Sequence, residues 1–268
     1  MITADLIKFI KRYTKDTPAV VLTGSGVSAK SGIPTFRADE GLWSRYSAEI
    51  FASYEGLLSV FKEDYKMLVV FINDFYSNLL MALPNEGHLA LTSMEKKGIV
   101  SSIITQNIDN LHEEAGSHHI IELHGNAYRI RCLKCSKRKK FSKVEISDFL
   151  NSLNKSINSR LGVLRVMSRF FHLCDCDGRH RIDIVMFGEH VPKKALDAAY
   201  EELMKTKLLF IVGTSGLVEP AAGLPEFAKR NGSKVIEINP VKTRLTEICD
   251  FHLAGDASEI LPEILSSL

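Results

Sequence analysis

Long apolar runs are missing from this sequence. The longest, residues 67–72 and Leu208–Val212, fall far short of the ~20 residues a membrane-spanning helix needs. An export signal is missing too, because Asp5, Lys8, Lys11 and Arg12 interrupt what would have to be an unbroken apolar segment. A strong charge of one sign is absent: 34 Lys and Arg against 32 Asp and Glu leave +2, which excludes a polybasic nucleic-acid binder as a reading of the whole chain. Cysteine is scarce, and four of the five stand in two close pairs. That is too few and too clustered for a disulfide framework, and it points to a metal in a reducing compartment. Repeats and low-complexity tracts are also lacking. What remains is 268 residues, 45% hydrophobic and 25% charged, the mix of a globular protein with a real core. The expectation is a soluble, intracellular protein, cytoplasmic or, in a eukaryote, nuclear, with no membrane partner.

Periodicity gives the organisation. Leu6, Ile10 and Tyr13 recur at helical spacing before Pro18. Then Ala19–Thr23, rich in valine, reads as a buried strand ending at Gly24. The same grammar returns at residues 99–105 after a helix over 87–97, at Leu208–Val212 after a helix over Lys193–Lys205, and at residues 235–238 after a helix near 226–230. Apolar runs without alternation, separated by helices, predict a parallel sheet covered on both faces. Residues 38–81 read as a helical cap. Residues 126–181, which hold the paired cysteines, read as an inserted module. Within it Ile146, Phe149, Leu150, Leu153, Ile157, Leu161 and Leu164 repeat at three and four and predict a helix.

Three constellations carry chemistry. Gly24-Ser25-Gly26-Val27-Ser28-Ala29 directly follows the first strand and fits the G-x-G-x-x-G/A turn that seats a phosphate at a helix N-terminus. A plain strand-to-helix turn is the alternative. A dehydrogenase would show a second strand ending in an acidic residue ~20 residues on; residues 31–43 are loop material instead, which weakens hydride transfer. Second, residues 105–112, Thr-Gln-Asn-Ile-Asp-Asn-Leu-His, end another strand on the edge where open α/β sheets bind ligands. Fifteen residues past Asp109, Glu122-Leu123-His124-Gly125 brings a histidine to the end of a short apolar strand. A structural or solvated histidine and a catalytic one are both open on these residues. Third, Cys132-x-x-Cys135 with Cys174-x-Cys176 suits closed, tetrahedral, structural zinc. The second pair is one residue tighter than usual, so His172 and His180 stand as alternative ligands. Cys249 reads as a core residue.

In this order, together with Phe187-Gly188-Glu189, Gly213-Thr214-Ser215, Asn239-Pro240 and Gly255-Asp256-Ala257, these motifs resemble the sirtuin family across nearly the whole chain. Thr35, Asn110 and residues 213–222 resemble its class III branch. The resemblance implies one catalytic domain over residues 1–268, a Rossmann-like α/β sheet with a helical cap and a smaller zinc module at 126–181. It implies an NAD-dependent protein-lysine deacetylase or deacylase that acts on acylated-lysine protein substrates. Gly24, Ser25, Gly26, Gly213, Thr214, Ser215 and Asn239 would lie near the phosphates and adenosine of NAD, and Ala257 by the adenine. Gln106, Asn107, Ile108 and Asp109 would hold the nicotinamide riboside, with Asn107 and Asp109 counted as catalytic. Phe36 and Arg37 would lie on a loop closing over the cofactor. His124 would be the general base, and the products free lysine, nicotinamide and O-acyl-ADP-ribose. Cys132, Cys135, Cys174 and Cys176 would bind one zinc ion. Phe187, Gly188 and Glu189 would pair with the substrate backbone as an added strand.

The chain departs from the family at three points: Ile182 stands where proline is usual, the second cysteine pair is tight, and the Tyr-x-x-Arg pair that reads acidic acyl groups falls on Ile72 and Phe75. Those residues predict a preference for acetyl or longer apolar acyl groups over succinyl or malonyl. A mono-ADP-ribosyltransferase or NAD hydrolase on the same site, and a non-catalytic NAD-sensing chromatin module, are the rival readings. Residues 136–173 carry nine Lys and Arg against Glu145 and Asp148, which suggests weak contact with nucleic acid or an acidic protein, a solvated face being the alternative.

Overall fold

The structure is a computed structural model and describes residues 2–34 and 42–268. The chain divides into two compact units, one of Met1–Thr35, Leu83–His124 and Val191–Leu268, the other of Phe36–Ala82 and Gly125–His190.

The first unit is built on six parallel strands: β1 (Ala19–Thr23), β2 (Val100–Thr105), β3 (Ile120–Glu122), β7 (Leu208–Val212), β8 (Lys234–Ile238) and β9 (Phe251–Leu253). Their spatial order is β3-β2-β1-β7-β8-β9, and the order reverses beside β1, as in a doubly wound Rossmann sheet. Every residue of Ala-Val-Val-Leu-Thr in β1 and Leu-Leu-Phe-Ile-Val in β7 is buried, because both sheet faces are covered. One apolar cluster joins Leu6, Ile10, Leu91, Val21 and Phe210 with Leu261 of the last helix. The other joins Leu22, Ile104, Leu203, Ile211 and Leu224. Complete burial of such a side chain contributes about 1.5–3 kcal/mol. The leading helix, Ala4–Thr14, starts where the Thr3 hydroxyl accepts the Leu6 N–H at 3.2 Å, and it turns Leu6 and Ile10 into that core.

Among the described residues the second unit holds helices at Leu42–Arg45, Ala48–Phe51, Tyr54–Glu63, Tyr65–Met81, Lys143–Ser156 and Arg160–Phe170, and a small antiparallel sheet. That sheet is ordered β5-β4-β6, from β4 (Gly125–Cys132), β5 (Arg138–Lys140) and β6 (His180–Ile184). From Tyr128 onward β4 alternates: Tyr128, Ile130 and Cys132 are buried, while Arg129 and Arg131 face the other side. There the Asp183 carboxylate, 5% exposed, meets Arg129 at 3.3 Å, Arg131 at 3.2 Å and Arg138 at 2.8 Å. The Tyr128 hydroxyl donates to the Leu79 carbonyl and the Tyr76 hydroxyl to the Ala127 carbonyl, tying the long helix to β4.

The single helix expected from Ile146 to Leu164 is two, Lys143–Ser156 and Arg160–Phe170. The first is fixed by a Ser142/Glu145 capping box, and the second restarts at Ser159, whose hydroxyl accepts the Gly162 N–H. The restart resets the helical phase. Val163 is buried, while Leu161 and Leu164, expected inside, are 57% and 41% exposed. The strands β4, β5, β6 and β9 had no counterpart in the sequence reading. No single helix among the described residues is long and apolar enough to cross a membrane.

Candidate active site and metal centre

The carboxyl ends of β1, β2, β7 and β8 bring most of the expected residues to one edge of the first unit's sheet. After β1 comes Gly24-Ser25-Gly26, followed by a short 3-10 helix, Ser25–Ser31. After β7 the chain turns at Gly213 with φ +60°, a left-handed conformation that suits glycine. A Cβ on Gly213 would stand 2.5 Å from the Val27 nitrogen, and one on Gly26 2.6 Å from the Gly213 Cα. Only glycines let these two turns touch. Gln106 donates to the Thr214 hydroxyl at 2.9 Å, and the Asn239 amide to the Thr214 carbonyl at 3.3 Å, so the turns after β2, β7 and β8 are laced together. Ser25, Ile108, Ser215 and Asn239 keep some exposure on this edge. Ala257 opens the last helix with its side chain in the core, which leaves its backbone as the group able to meet a ligand. Phe36 and Arg37 lie outside the described residues.

His124 ends the segment after β3. Its Nδ1 lies 2.9 Å from the Gln106 carbonyl oxygen, an acceptor only. Nδ1 therefore carries the proton, and Nε2 of the neutral ring keeps a free lone pair. Burial lowers its pKa below the usual histidine value, against the opposing effect of the Gln106 bond. The ring is neutral at pH 7, as a base must be. Gly125 follows at φ +80°, where a Cβ would fall 1.9 Å from the Asp183 carbonyl oxygen.

Asp109, 5% exposed, accepts the Leu111 N–H at 2.9 Å and the Ser28 hydroxyl at 2.7 Å. Burial raises its pKa, and those two bonds offset only part of the rise. Asn107 donates to Ser28 Oγ at 3.1 Å. On its other side Ser28 meets His88 Nε2 at 3.4 Å, while His88 Nδ1 accepts the Asn85 N–H at 3.3 Å. Burial pushes the His88 pKa down to about 4. A parallel chain runs from His112 Nε2 to the Thr23 hydroxyl at 3.0 Å and on to Thr105 at 2.8 Å. Burial and the neighbouring His88 hold His112 well below its usual pKa. Thr23 gives its proton to Thr105, so His112 donates from Nε2, and Nδ1 has no partner among the described residues. Sequence reasoning missed Ser28, His88, His112, Thr23 and Asn85 as parts of one buried network. The available signal was Asn85-x-x-His88 at capping-box spacing.

In the second unit, Cys132, Cys135, Cys174 and Cys176 bring their four sulfurs within 4.8 Å of one another. Cys132 and Cys176 are 3.5 Å apart, Cys135 and Cys174 3.6 Å. Tetrahedral zinc with ~2.3 Å bonds to sulfur needs sulfurs ~3.8 Å apart, so the set fits one ion. The Lys134 and Cys135 N–H groups point at the Cys132 sulfur, at 3.4 and 3.5 Å. A Cβ on Gly178 would lie 2.5 Å from that sulfur. The tight spacing of the second pair is accommodated with four cysteines, and the His180 Nδ1 is turned to the His172 carbonyl at 2.5 Å. Cys249 stands apart, its thiol donating to the Leu245 carbonyl and burial pushing its pKa up to about 12.

Also in this unit, Ile72 and Phe75 join an apolar cluster around Tyr46, Leu68 and Phe71. Of the cap cations that could serve that pocket, Arg45 is bonded at 2.7 Å to Asp74, which also accepts the Tyr46 hydroxyl at 2.7 Å, while Lys62 and Lys66 are exposed. The basic excess of residues 136–173 is largely engaged within the unit. Lys137 meets Asp175, Arg138 meets Asp183, Lys143 meets the Ala82 carbonyl, Lys139 covers Phe141, and Arg160 covers Phe61.

The profile of the Sir2 family matches residues 24–220. An NAD-dependent protein deacylase of Pyrococcus furiosus is 40% identical over 96% of this chain and 96% of its own. The chain belongs to the Sir2 family. Among solved structures, a Sir2 homolog–NAD complex is 35% identical with a TM-score of 0.76, covering 97% of this chain and 92% of that one. A Sir2 protein with a deacetylated p53 peptide and 3'-O-acetyl ADP ribose is 31% identical with a TM-score of 0.75, covering 97% and 96%. The glycine-packed turns and laced polar edge fit the dinucleotide of Sir2 proteins, and the four cysteines fit a zinc ion.

Proposed function

We infer that this chain removes acyl groups from protein lysines, consuming one NAD and one water and releasing free lysine, nicotinamide and O-acyl-ADP-ribose. The observation that carries this reading is His124, a neutral imidazole with its free nitrogen fixed by the Gln106 carbonyl, on the same strand-end edge as the glycine turns.

NAD, when bound, would supply an electrophilic ribose carbon with nicotinamide as its leaving group. Gly24, Ser25, Gly26, Gly213, Thr214, Ser215 and Asn239 seat its phosphates and adenosine, with the Ala257 backbone by the adenine. Gln106, Asn107, Ile108 and Asp109 orient the nicotinamide riboside. The Ser28 and Leu111 donors fix the Asp109 carboxylate, and the neutral His88 behind Ser28 adds no charge to that chain. His124 Nε2 takes a proton from a ribose hydroxyl, a role typically worth ~10²–10⁴ in rate. Zinc on the four cysteines is structural, because all four positions are filled by protein and none is left for substrate. Phe187, Gly188 and Glu189, expected as a strand edge, form a turn whose Phe187 and Glu189 N–H groups already donate to the Ala52 and Met186 carbonyls, so they border the substrate peptide and do not pair with it as a full strand.

The acyl group is apolar. Ile72 and Phe75 offer a carboxylate neither charge nor a hydrogen bond, Arg45 is already held by Asp74, and Lys62 and Lys66, the other cap cations, are solvent-exposed. An unpaired carboxylate in such surroundings costs several kcal/mol, whereas each buried CH₂ contributes ~0.8 kcal/mol. A panel of acetyl-, longer fatty-acyl- and succinyl-lysine peptides with NAD tests both statements. Free lysine and nicotinamide should appear together, with kcat/KM for acetyl at least about tenfold above succinyl. Nicotinamide release without free lysine would indicate ADP-ribosyl transfer or NAD hydrolysis, and a succinyl preference would overturn the apolar pocket.

A further inference from the structure

Within the cysteine-bearing unit, a cleft of about 340 Å³ opens beside the Phe187–Glu189 turn. That is at the small end of the ~300–1,000 Å³ range of ligand sites and room for one long side chain. Its apolar walls are Tyr54, Leu133 and Phe187, exposed to 47%, 55% and 47%. Leu133 is presented by the metal knuckle, between Cys132 and Cys135.

Three charged side chains face the cleft: Glu55, Arg181 and Glu189. Two of them satisfy each other. Arg181, only 13% exposed, reaches both oxygens of Glu189 and donates to the Ile184 carbonyl at 2.8 Å. Glu189 also accepts the Met186 N–H at 3.0 Å, which closes the turn on itself. Burial would raise the Glu189 carboxyl, but Arg181 and the Met186 N–H hold it below the usual range. The turn that floors the cleft is therefore held in place before a ligand arrives. Glu55, in the first turn of Tyr54–Glu63, is exposed and has no hydrogen bond or ion pair among the described residues. One carboxylate without a partner stands beside three partly exposed apolar side chains.

We propose that this cleft takes the side chain of a substrate residue flanking the acyl-lysine and selects a long cation, arginine or lysine. The proposal rests on the deacylase reading, with the peptide backbone running beside the Phe187–Glu189 turn. The aliphatic stem lies on Leu133 and on the Tyr54 and Phe187 rings, and the charged head meets Glu55. An apolar residue fills the same walls but leaves Glu55 without a partner. An acidic residue meets Glu55, the one charge of the three not already paired, and is repelled. Because Glu55 is solvent-exposed the discrimination is moderate, and it falls in binding, since the cleft touches no reacting atom.

The test uses acetyl-lysine peptides that differ at one position, within two residues on either side, as arginine, leucine or glutamate. Each is assayed at saturating NAD against the wild-type protein, Glu55→Gln and Glu55→Lys. At one position the arginine peptide should show a KM about 3–10-fold below the glutamate peptide, at equal kcat. Glu55→Gln should shrink that ratio and Glu55→Lys should invert it, with melting temperatures unchanged. Equal KM values at every position, or a ratio that Glu55→Lys leaves alone, overturns the proposal. So does a leucine preference shared by wild type and Glu55→Lys, which would make the cleft a purely apolar reader. If no peptide yields free lysine the deacylase reading fails instead. Fluorescence anisotropy of labelled arginine and glutamate peptides, on wild type and Glu55→Lys, then decides the cleft alone.

Discussion

The two units of this chain are held together by different means. In the first, β1 and β7 are buried along their whole length and two apolar clusters cover the sheet. In the second, β5 is Arg-Lys-Lys with every residue exposed. The small sheet depends on Asp183 gathering three arginines and on four cysteines gathered for a metal. A unit with a large core can spend polar residues on chemistry, and the first does so at its strand ends. A unit with a small core needs cross-links, and the second has committed its paired cysteines and the Asp183 cluster to them.

Disabling the chemistry of the first unit should leave its fold alone. His124→Ala removes one hydrogen bond to the Gln106 carbonyl and a half-buried ring that belongs to neither apolar cluster of the sheet. Deacylation should fall at least about 100-fold, while calorimetric NAD binding and the melting temperature stay near wild type. A variant that kept more than about a tenth of the rate would remove the general-base role.

The reverse holds in the second unit. Native mass spectrometry should show one zinc per chain. Cys174→Ala should lower stability by roughly 3–5 kcal/mol or more, since a structural site contributes folding energy directly. Hydrogen exchange should show the loss in β4, β5 and β6, while amides of β1, β2 and β7 keep their protection. Metal-free protein with unchanged melting and exchange would contradict the contrast between the units.

A smaller effect tests the buried histidines of the first unit. His88 has a folded pKa of about 4 against an ordinary 6.5. Its contribution is complete above pH 6.5, where the unfolded ring is also neutral. It is lost progressively as pH falls toward 4, because only the unfolded ring takes up the proton. From pH 7.5 to 5 this amounts to about 2 kcal/mol. His112 and His124 act in the same direction. Asp109, with its pKa raised, acts in the opposite one and lends stability as it is protonated. His88→Gln should be less stable than wild type at pH 7.5 in urea, and the gap should close by about 2 kcal/mol at pH 5. A gap independent of pH would show that His88 is not the group that titrates.

Legibility in sequence followed the same division. Uniform apolar runs are an unambiguous signal of covered parallel strands, so β1, β2, β7 and β8 could be read to within a residue or two. The glycine turns, the strand-end polar run and the paired cysteines announced themselves because their spacing is tied to backbone geometry. The strands of the small sheet did not. Arg129, Arg131 and Arg138 read as solvated charge until the fold brings them to Asp183, which lies 45 or more residues along the chain. The Ser28–Asp109 and Ser28–His88 contacts are hidden for the same reason, since 81 and 60 residues separate the partners. Local pattern reports what a segment buries, and carries no record of which distant polar group meets it.

The smallest predicted effect concerns the one helix that was misread. Continuing the phase of Ile146, Phe149, Leu150 and Leu153 puts Leu161 and Leu164 inside, and only the Ser159 restart turns Val163 inward in their place. Val163 is fully buried and Leu161 is 57% exposed. Val163→Ala should therefore cost about 1–2 kcal/mol in urea unfolding, although it removes less apolar surface than Leu161→Ser. Leu161→Ser should stay within about 0.5 kcal/mol of wild type, as surface changes do. A continuous helix in the original phase reverses that ranking. The pair of variants reads the phase of the second helix directly, because the two residues lie on opposite sides of it and share no partner.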